Sequence, residues 1–241
     1  QDIIDNFDTK TDAGDIMIDR MEVAGPGFIN IFLDKKFLSQ ELNHVLHSKH
    51  LGVKISSTHP KTIVEFSSPN IAKELHVGHL RCTIIGDTIA RLFEFLGHNV
   101  LRLNHIGDWG TQFGMLIAYI KLYDPQVFTG EKVTDLSELM GWYKKSKQKF
   151  DSDEEFKKQA QEEVVALQGG EKKALHAWGV ICDISRKAFH EIYGLLDVKI
   201  KERGESFYNP YLQGIVDDLE KQGLITVSDG AKCVYIEGYK N

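Results

Sequence analysis

The chain has 241 residues, 42% of them hydrophobic, enough to bury a real core in one to one and a half ordinary domains. It contains no apolar run near the roughly 18 residues of a membrane helix, and its opening QDIIDNFDTK lacks the basic start and apolar stretch of a signal peptide. Three scattered cysteines suggest no disulfide framework and a reducing interior, cytosolic or organellar, of which the cytoplasm is expected, while a net charge of −6 speaks against binding phosphates over the whole surface.

Residues 1–56 begin with an acidic, turn-rich stretch. Gly25-Pro26-Gly27 then leads into Phe28-Ile29-Asn30-Ile31-Phe32-Leu33, a strand by alternation and propensity. A helix is predicted over 36–48, with Phe37, Leu38, Leu42, Val45 and Leu46 on one face. This region reads as the tail of a larger domain.

Residues 57–122 read as strand, loop, helix, strand. Thr62-Ile63-Val64-Glu65-Phe66 is a β-branched and aromatic run, and Pro69 holds Ser68 extended and out of helix. The loop continues to His76-Val77-Gly78-His79. Behind it a helix is predicted over 81–96, burying Leu80, Ile84, Ile85, Ile89, Leu92, Phe93 and Leu96. Gly97 suits the residue after that helix, and NVLRLN (99–104) gives the second strand. Two strands joined by a helix make a parallel crossover, whose ligands sit beyond the strands' C-terminal ends, where residues 65–70 and 104–110 fall. Gly107, Gly110 and Gly114 do not match the dinucleotide fingerprint.

The two histidines therefore lie at a helix start, whose free N–H groups and positive dipole end favour an anion. Gly78 between them lets a flat ring or a phosphate approach the backbone, and imidazoles at this spacing can donate to phosphate oxygens. From the tetrapeptide alone, surface histidines or two metal ligands remain open; a metal would want further ligands, which Cys82, Cys182 and Cys233 do not supply at a recognisable spacing.

Residues 123–241 read as mainly helical, ending in a hairpin. Ser152 with Glu155 forms a capping-box pattern ahead of Phe156, and Gly169-Gly170 stops that helix. A second helix is predicted over 172–196, burying Trp178, Ile181, Ile184, Phe189 and Ile192. A third follows Pro210 and stops at Gly223. Ser228-Asp229-Gly230 then turns between residues 224–227 and 234–236. Lys144, Lys145, Lys147 and Lys149, and the set Lys199, Lys201 and Arg203 along an expected strand, read as solvated faces.

The run VEFSSPNIAKELHVGHLRCTIIGDTIARLFEFLGHNVLRLNHIGDWGTQFG (64–114) strongly resembles the first half of the catalytic domain of arginyl-tRNA synthetases, which are class I aminoacyl-tRNA synthetases. Their HIGH signature stands here as His76-Val77-Gly78-His79, after Ser68-Pro69-Asn70-Ile71-Ala72-Lys73 and before Gly107-Asp108-Trp109-Gly110. The likeness continues through Arg203-Gly204-Glu205-Ser206-Phe207-Tyr208. It implies an α/β class: the first half of a Rossmann-like, parallel nucleotide-binding sheet (57–122), with a helical continuation and insertion (123–241), preceded by the end of an N-terminal domain that contacts the tRNA elbow (1–56). No KMSK-type lysine loop occurs, so the chain is expected to be part of a longer enzyme.

That resemblance implies ATP-dependent ligation of L-arginine to tRNA(Arg) through an arginyl-adenylate, in protein synthesis. It implies that Ser68 and Asn70 hold the α-amino and carboxylate end of arginine, with Glu65 facing its α-ammonium. His79 would lie where ATP and arginine meet, His76 and Gly78 against the nucleotide, and Lys73 on a phosphate; His76 and His79 would be the catalytic pair. ATP would arrive as its Mg2+ complex, with no metal held by the protein. The expected partners are tRNA(Arg), L-arginine and ATP, with no membrane and a monomeric state. Two other classes stand beside it: a small nucleotidyltransferase of the HxGH type, against which the SPN segment and residues 123–241 weigh, and a non-catalytic synthetase-derived module binding RNA or protein.

Overall fold

The computed structural model describes residues 1–55 and 57–239; the expected boundaries at 56 and 241 fall outside the described residues. The chain forms two compact units, Gln1–Pro60 with Leu92–Asn99, and Lys61–Arg91 with Val100–Asn241.

In the first unit, a short helix α1 (Asp2–Asp5) precedes an antiparallel hairpin of β1 (Ile18–Ala24) and β2 (Phe28–Leu33). Gly25 and Gly27, at φ 55° and 132°, take up the left-handed backbone of its turn. Only β2 is legible in sequence, because β1 carries Asp19, Arg20 and Glu22 and is bulged between Ile18 and Arg20. Helix α2 (Lys35–His47) starts where the Asp34 carboxylate accepts the Phe37 N–H at 2.9 Å. Leu38, Leu42 and Leu46 of its expected buried face are exposed.

The second unit is built on a three-stranded sheet in the order β3 (Lys61–Glu65), β4 (Asn99–Asn104), β5 (Lys201–Glu202). Leu103 and Asn104 pair in parallel with Lys201 and Glu202, and the β3–β4 side continues into a parallel bridge between Asn70 and Gly107. Helix α3 (Val77–Phe95) connects β3 to β4 and begins at the HxGH segment, as expected. Its most buried residues are not the ones read from periodicity, of which Leu80, Phe93 and Leu96 are half-buried. Thr83, Gly86, Asp87 and Ala90 are buried, whereas Ile84, Ile85, Ile89 and Leu92 are exposed. A Cβ on Gly86 would overlap the Phe66 side chain, so the missing side chain is what lets α3 lie close to the end of β3. Asp87 in that face is ion-paired with Arg102 and, at 2.6 Å, with Arg91, which lets a carboxylate sit in a buried position.

Beyond β4, helices α4 (Gln112–Tyr123), α5 (Gln126–Thr129), α6 (Leu136–Ser152), α7 (Glu154–Gln168) and α8 (Lys172–Leu195) form the main core. Ile106, Phe113, Leu116, Ile117, Ile120, Leu139 and Ile181 are all nearly or fully buried there. Phe113 through Ala118 are buried without a break, so α4 has no amphipathic stripe and gives no periodic signal. The start of α7 is capped by Asp153, whose carboxylate accepts the Glu155 and Phe156 N–H groups. The expected cap, Ser152, instead donates its hydroxyl to the Gln148 carbonyl. In α8, Ala174, Ala177, Ile181, Cys182, Ser185, Phe189 and Tyr193 are buried, and Trp178, Ile184 and Ile192 only partly so. Two of the clustered lysines on α6, Lys147 and Lys149, pair with Asp151 and Asp153 at 2.7 and 2.6 Å. The chain then runs through a 3-10 turn (Glu205–Tyr208), helix α9 (Asn209–Lys221) and a hairpin of β6 (Thr226–Ser228) and β7 (Ala231–Cys233), turning at Asp229 and Gly230.

Candidate active site at the HxGH helix start

The segment between β3 and α3 alternates between anchor and presentation. Phe66, Ser67, Pro69, Ile71 and Ala72 are buried, while Glu65, Ser68, Asn70 and Lys73 are exposed. Buried residues of both kinds thus fix the loop to the unit beneath it, and the polar groups predicted to bind a substrate face outward. The Ser68 hydroxyl donates to the Glu65 carboxylate, which also lies 3.7 Å from His105 Nδ1; His105 Nε2 in turn bonds Tyr208 Oη at 2.7 Å. Asn70 is placed by backbone. Ile71 N–H donates to the Gly107 carbonyl at 3.2 Å and Gly107 N–H to the Pro69 carbonyl at 3.0 Å, and a Cβ on Gly107 would overlap Asn70 Oδ1.

The two histidines interact directly. Their ring centroids are 3.9 Å apart, and His79 Nδ1 accepts the His76 N–H at 3.2 Å while His76 Nδ1 accepts the Gly78 N–H at 3.1 Å. With Nδ1 accepting, a neutral ring carries its proton on Nε2, which leaves each histidine one ring N–H donor. A Cβ on Gly78 would stand 2.9 Å from His76 Cε1, so glycine is required for the ring to fold back onto the helix start. Burial holds the His79 pKa below the ordinary histidine value, and the nearby His76 and Lys73 charges push it the same way.

Sequence reasoning missed the side chains that support this loop. Asp108 is almost fully buried and takes the Ser206 N–H at 2.8 Å and its hydroxyl at 2.7 Å, with Arg186 at 3.5 Å, tying the 107–110 loop to the 3-10 turn. Asn104, Ser185 and Tyr193 reach the 66–72 segment from β4 and α8. A groove of about 770 Å3 lined by Leu75, Leu80, Val133, Leu136, Ile184 and Phe189 flanks the helix start, but none of the predicted site residues line it. Among the described residues, no group of three or more histidine, cysteine or carboxylate side chains is arranged to hold a metal.

A parallel sheet whose first crossover carries an HxGH helix start, with a helical insertion returning to a third strand, defines the catalytic domain of a class I aminoacyl-tRNA synthetase. The family model of class I tRNA synthetases (R), catalytic domain, matches residues 41–241. The arginine–tRNA ligase of Protochlamydia amoebophila is 60% identical over 224 residues, covering 93% of this chain and 38% of the relative. That of Nostoc punctiforme is 56% identical over 220 residues, covering 91% and 38%. A crystal structure of arginyl-tRNA synthetase from Plasmodium falciparum superposes with a TM-score of 0.73 at 37% identity, covering 95% of this chain and 40% of that one. The chain belongs to the arginyl class I tRNA synthetase family, and it spans 38% of the length of these curated relatives.

Proposed function

We propose that this chain carries the HIGH-signature half of an active site that joins L-arginine to tRNA(Arg), using ATP as its Mg2+ complex. The arginine carboxylate attacks the α-phosphorus in line and pyrophosphate leaves; the terminal ribose hydroxyl of the tRNA then attacks the arginyl carbonyl of the adenylate, forming the ester as AMP leaves. No covalent enzyme intermediate is needed, so the protein's work is to orient two substrates and to stabilise charge growing on phosphate. His76 and His79 donate through Nε2 to phosphate oxygens, Gly78 lets the nucleotide approach, and Lys73 neutralises phosphate charge. Ser68 and Asn70 bind the α-amino and carboxylate end of arginine, and Glu65 faces its ammonium. In the same reading residues 1–56 end a tRNA-contacting domain, 57–122 form the first half of the nucleotide fold, and 123–241 form its helical continuation. The protein works as a monomer in the cytoplasm; among the described residues no helix is long and apolar enough to cross a membrane.

The observation that carries this reading is the pair of imidazoles with both Nδ1 atoms taken up by backbone N–H groups, beside a loop that turns Glu65, Ser68 and Asn70 outward. Arginine-dependent ATP–pyrophosphate exchange, in a chain extended to the length of its relatives, tests it. His76→Ala and His79→Ala should each cost about 10²-fold or more in rate, the scale of losing one transition-state donor. Asn70→Ala should raise the arginine KM far more than the ATP KM, since a polar ligand group loses its partner. Near-wild-type exchange in both histidine variants would remove them from the chemistry, and equal weakening of both substrates would move Asn70 out of the amino-acid pocket.

A further inference from the structure

The loop between β3 and α3 contains three non-glycine residues with left-handed backbone, Ser67 at φ 75°, Ser68 at φ 47° and Ala72 at φ 59°. Such conformations are costly for residues with a Cβ and persist only where the surroundings over-determine them. Each of the three is met by a side chain from outside the loop. Ser67 Oγ is hydrogen-bonded to Tyr193 Oη at 2.6 Å, Ser68 N–H donates to Asn104 Oδ1 at 2.9 Å, and Ala72 N–H donates to Ser185 Oγ at 3.0 Å. Asn104 Nδ2 then donates to Tyr193 Oη at 3.2 Å, which closes the first two contacts into one network. Asn104, Tyr193 and Ser185 are 2%, 4% and 0% exposed, so the Ser67–Tyr193, Asn104–Tyr193 and Ala72–Ser185 bonds are shielded from water, while the Ser68–Asn104 bond is partly buried. Burial also raises the Tyr193 hydroxyl pKa, so it stays protonated across the physiological range.

We propose that Asn104 and Tyr193 are positioning residues for amino-acid binding. They hold the Ser67–Ser68 turn in its left-handed form, which aims Ser68 and, two residues on, Asn70 at the substrate, while Ser185 anchors the far end of the same loop. Neither touches substrate; both act through Ser67 and Ser68. The network spans the end of β4 and the last turns of α8, so the helical insertion sets the geometry of the amino-acid loop from behind. This inference rests on the assignment of Ser68 and Asn70 to arginine.

The test uses a chain extended to its relatives' length and reads KM for arginine, KM for ATP and the melting temperature. Tyr193→Phe keeps the ring and removes only the hydroxyl; Asn104→Ala removes both of its bonds. Each should raise the arginine KM about tenfold while the ATP KM stays within about twofold, at a temperature where the variant is fully folded. Phe156→Leu, in the separate cluster with Met115, Ala118 and Ala160, should lower the melting temperature without moving the arginine KM. If Tyr193→Phe and Asn104→Ala leave the arginine KM unchanged while Asn70→Ala raises it, the positioning role is overturned and the proposed function stands. If Asn70→Ala also leaves it unchanged, the assignment of the loop to arginine falls first. A parallel rise of both KM values, or the same rise in Phe156→Leu, reduces the network to a structural one.

Discussion

His79 combines a chemical assignment with a measurable proton equilibrium. Its Nδ1 accepts the His76 N–H, and burial with two nearby cationic or titratable groups holds its pKa below the ordinary value. The sign follows from proton counting: the unfolded chain takes up the proton first as pH falls, so stability from this group is complete above the ordinary histidine range. It is lost as pH drops through that range toward the folded-state value. Proton NMR titration of the chain should show the His79 Cε1–H midpoint below that of a model histidine peptide; a midpoint at or above it would contradict the burial and the neighbouring charges that hold the pKa down. His76, His79, Gly78, Ser68 and Asn70 can be proposed as site residues from sequence because their signal is local, carried by a short run. Their supports were not. Ser67 and Tyr193 are 126 positions apart and Asn104 and Tyr193 are 89 apart, and a tyrosine on an apolar helix face reads as core. The one available hint was that Asn104 ends a strand at the edge where ligands collect.

At the scale of elements, the lesson is in which side of α3 is buried. Periodicity locates the helix and its start, but the rule that large apolar residues face inward fails for Ile84, Ile85, Ile89 and Leu92, which are exposed. The inner side is made of Thr83, Gly86, Asp87 and Ala90, small or paired groups that permit close approach. A glycine inside a helix is normally improved by alanine, by roughly 0.5–1 kcal/mol, because backbone entropy is recovered. At Gly86 the added Cβ would overlap the Phe66 Cβ and ring, and overpacking of that kind costs about 1–3 kcal/mol. At Gly179, mid-helix in α8, nothing beyond the chain neighbours and the helix's own backbone lies within 4 Å of the position a Cβ would take. Gly86→Ala should therefore lower, and Gly179→Ala raise, the urea unfolding midpoint of the same chain; shifts of the same sign would mean that α3 does not press on Phe66. Strand β4 matched its expected bounds and the β6–β7 turn fell where Asp229-Gly230 required it, since strand propensity and turn chemistry are both local. Helix α4, buried through consecutive residues, was invisible to a method that needs one wet face.

For the whole molecule, share of length decides more than charge does. The net charge of −6 averages over faces, and the lysines at 147 and 149 that could have marked a nucleic-acid surface are already paired with aspartates. The curated relatives are longer, and this chain covers 38% of each. The family resemblance implies a lysine loop that helps hold the triphosphate, and no KMSK-type run occurs in these 241 residues. What the chain has is one strand–helix–strand crossover with its two histidines and the loop proposed to bind arginine. Half a site gives up proximity and charge stabilisation together, effects worth roughly 7–11 and about 3–4 kcal/mol in complete enzymes. Purified residues 1–241 should therefore show no arginine-dependent ATP–pyrophosphate exchange and no aminoacylation, with or without tRNA, while a chain of its relatives' length does. The His76→Ala/His79→Ala double variant, prepared identically, reports any contaminating host synthetase. Exchange by residues 1–241 above that background would mean that this sheet and its loop enclose both substrates unaided.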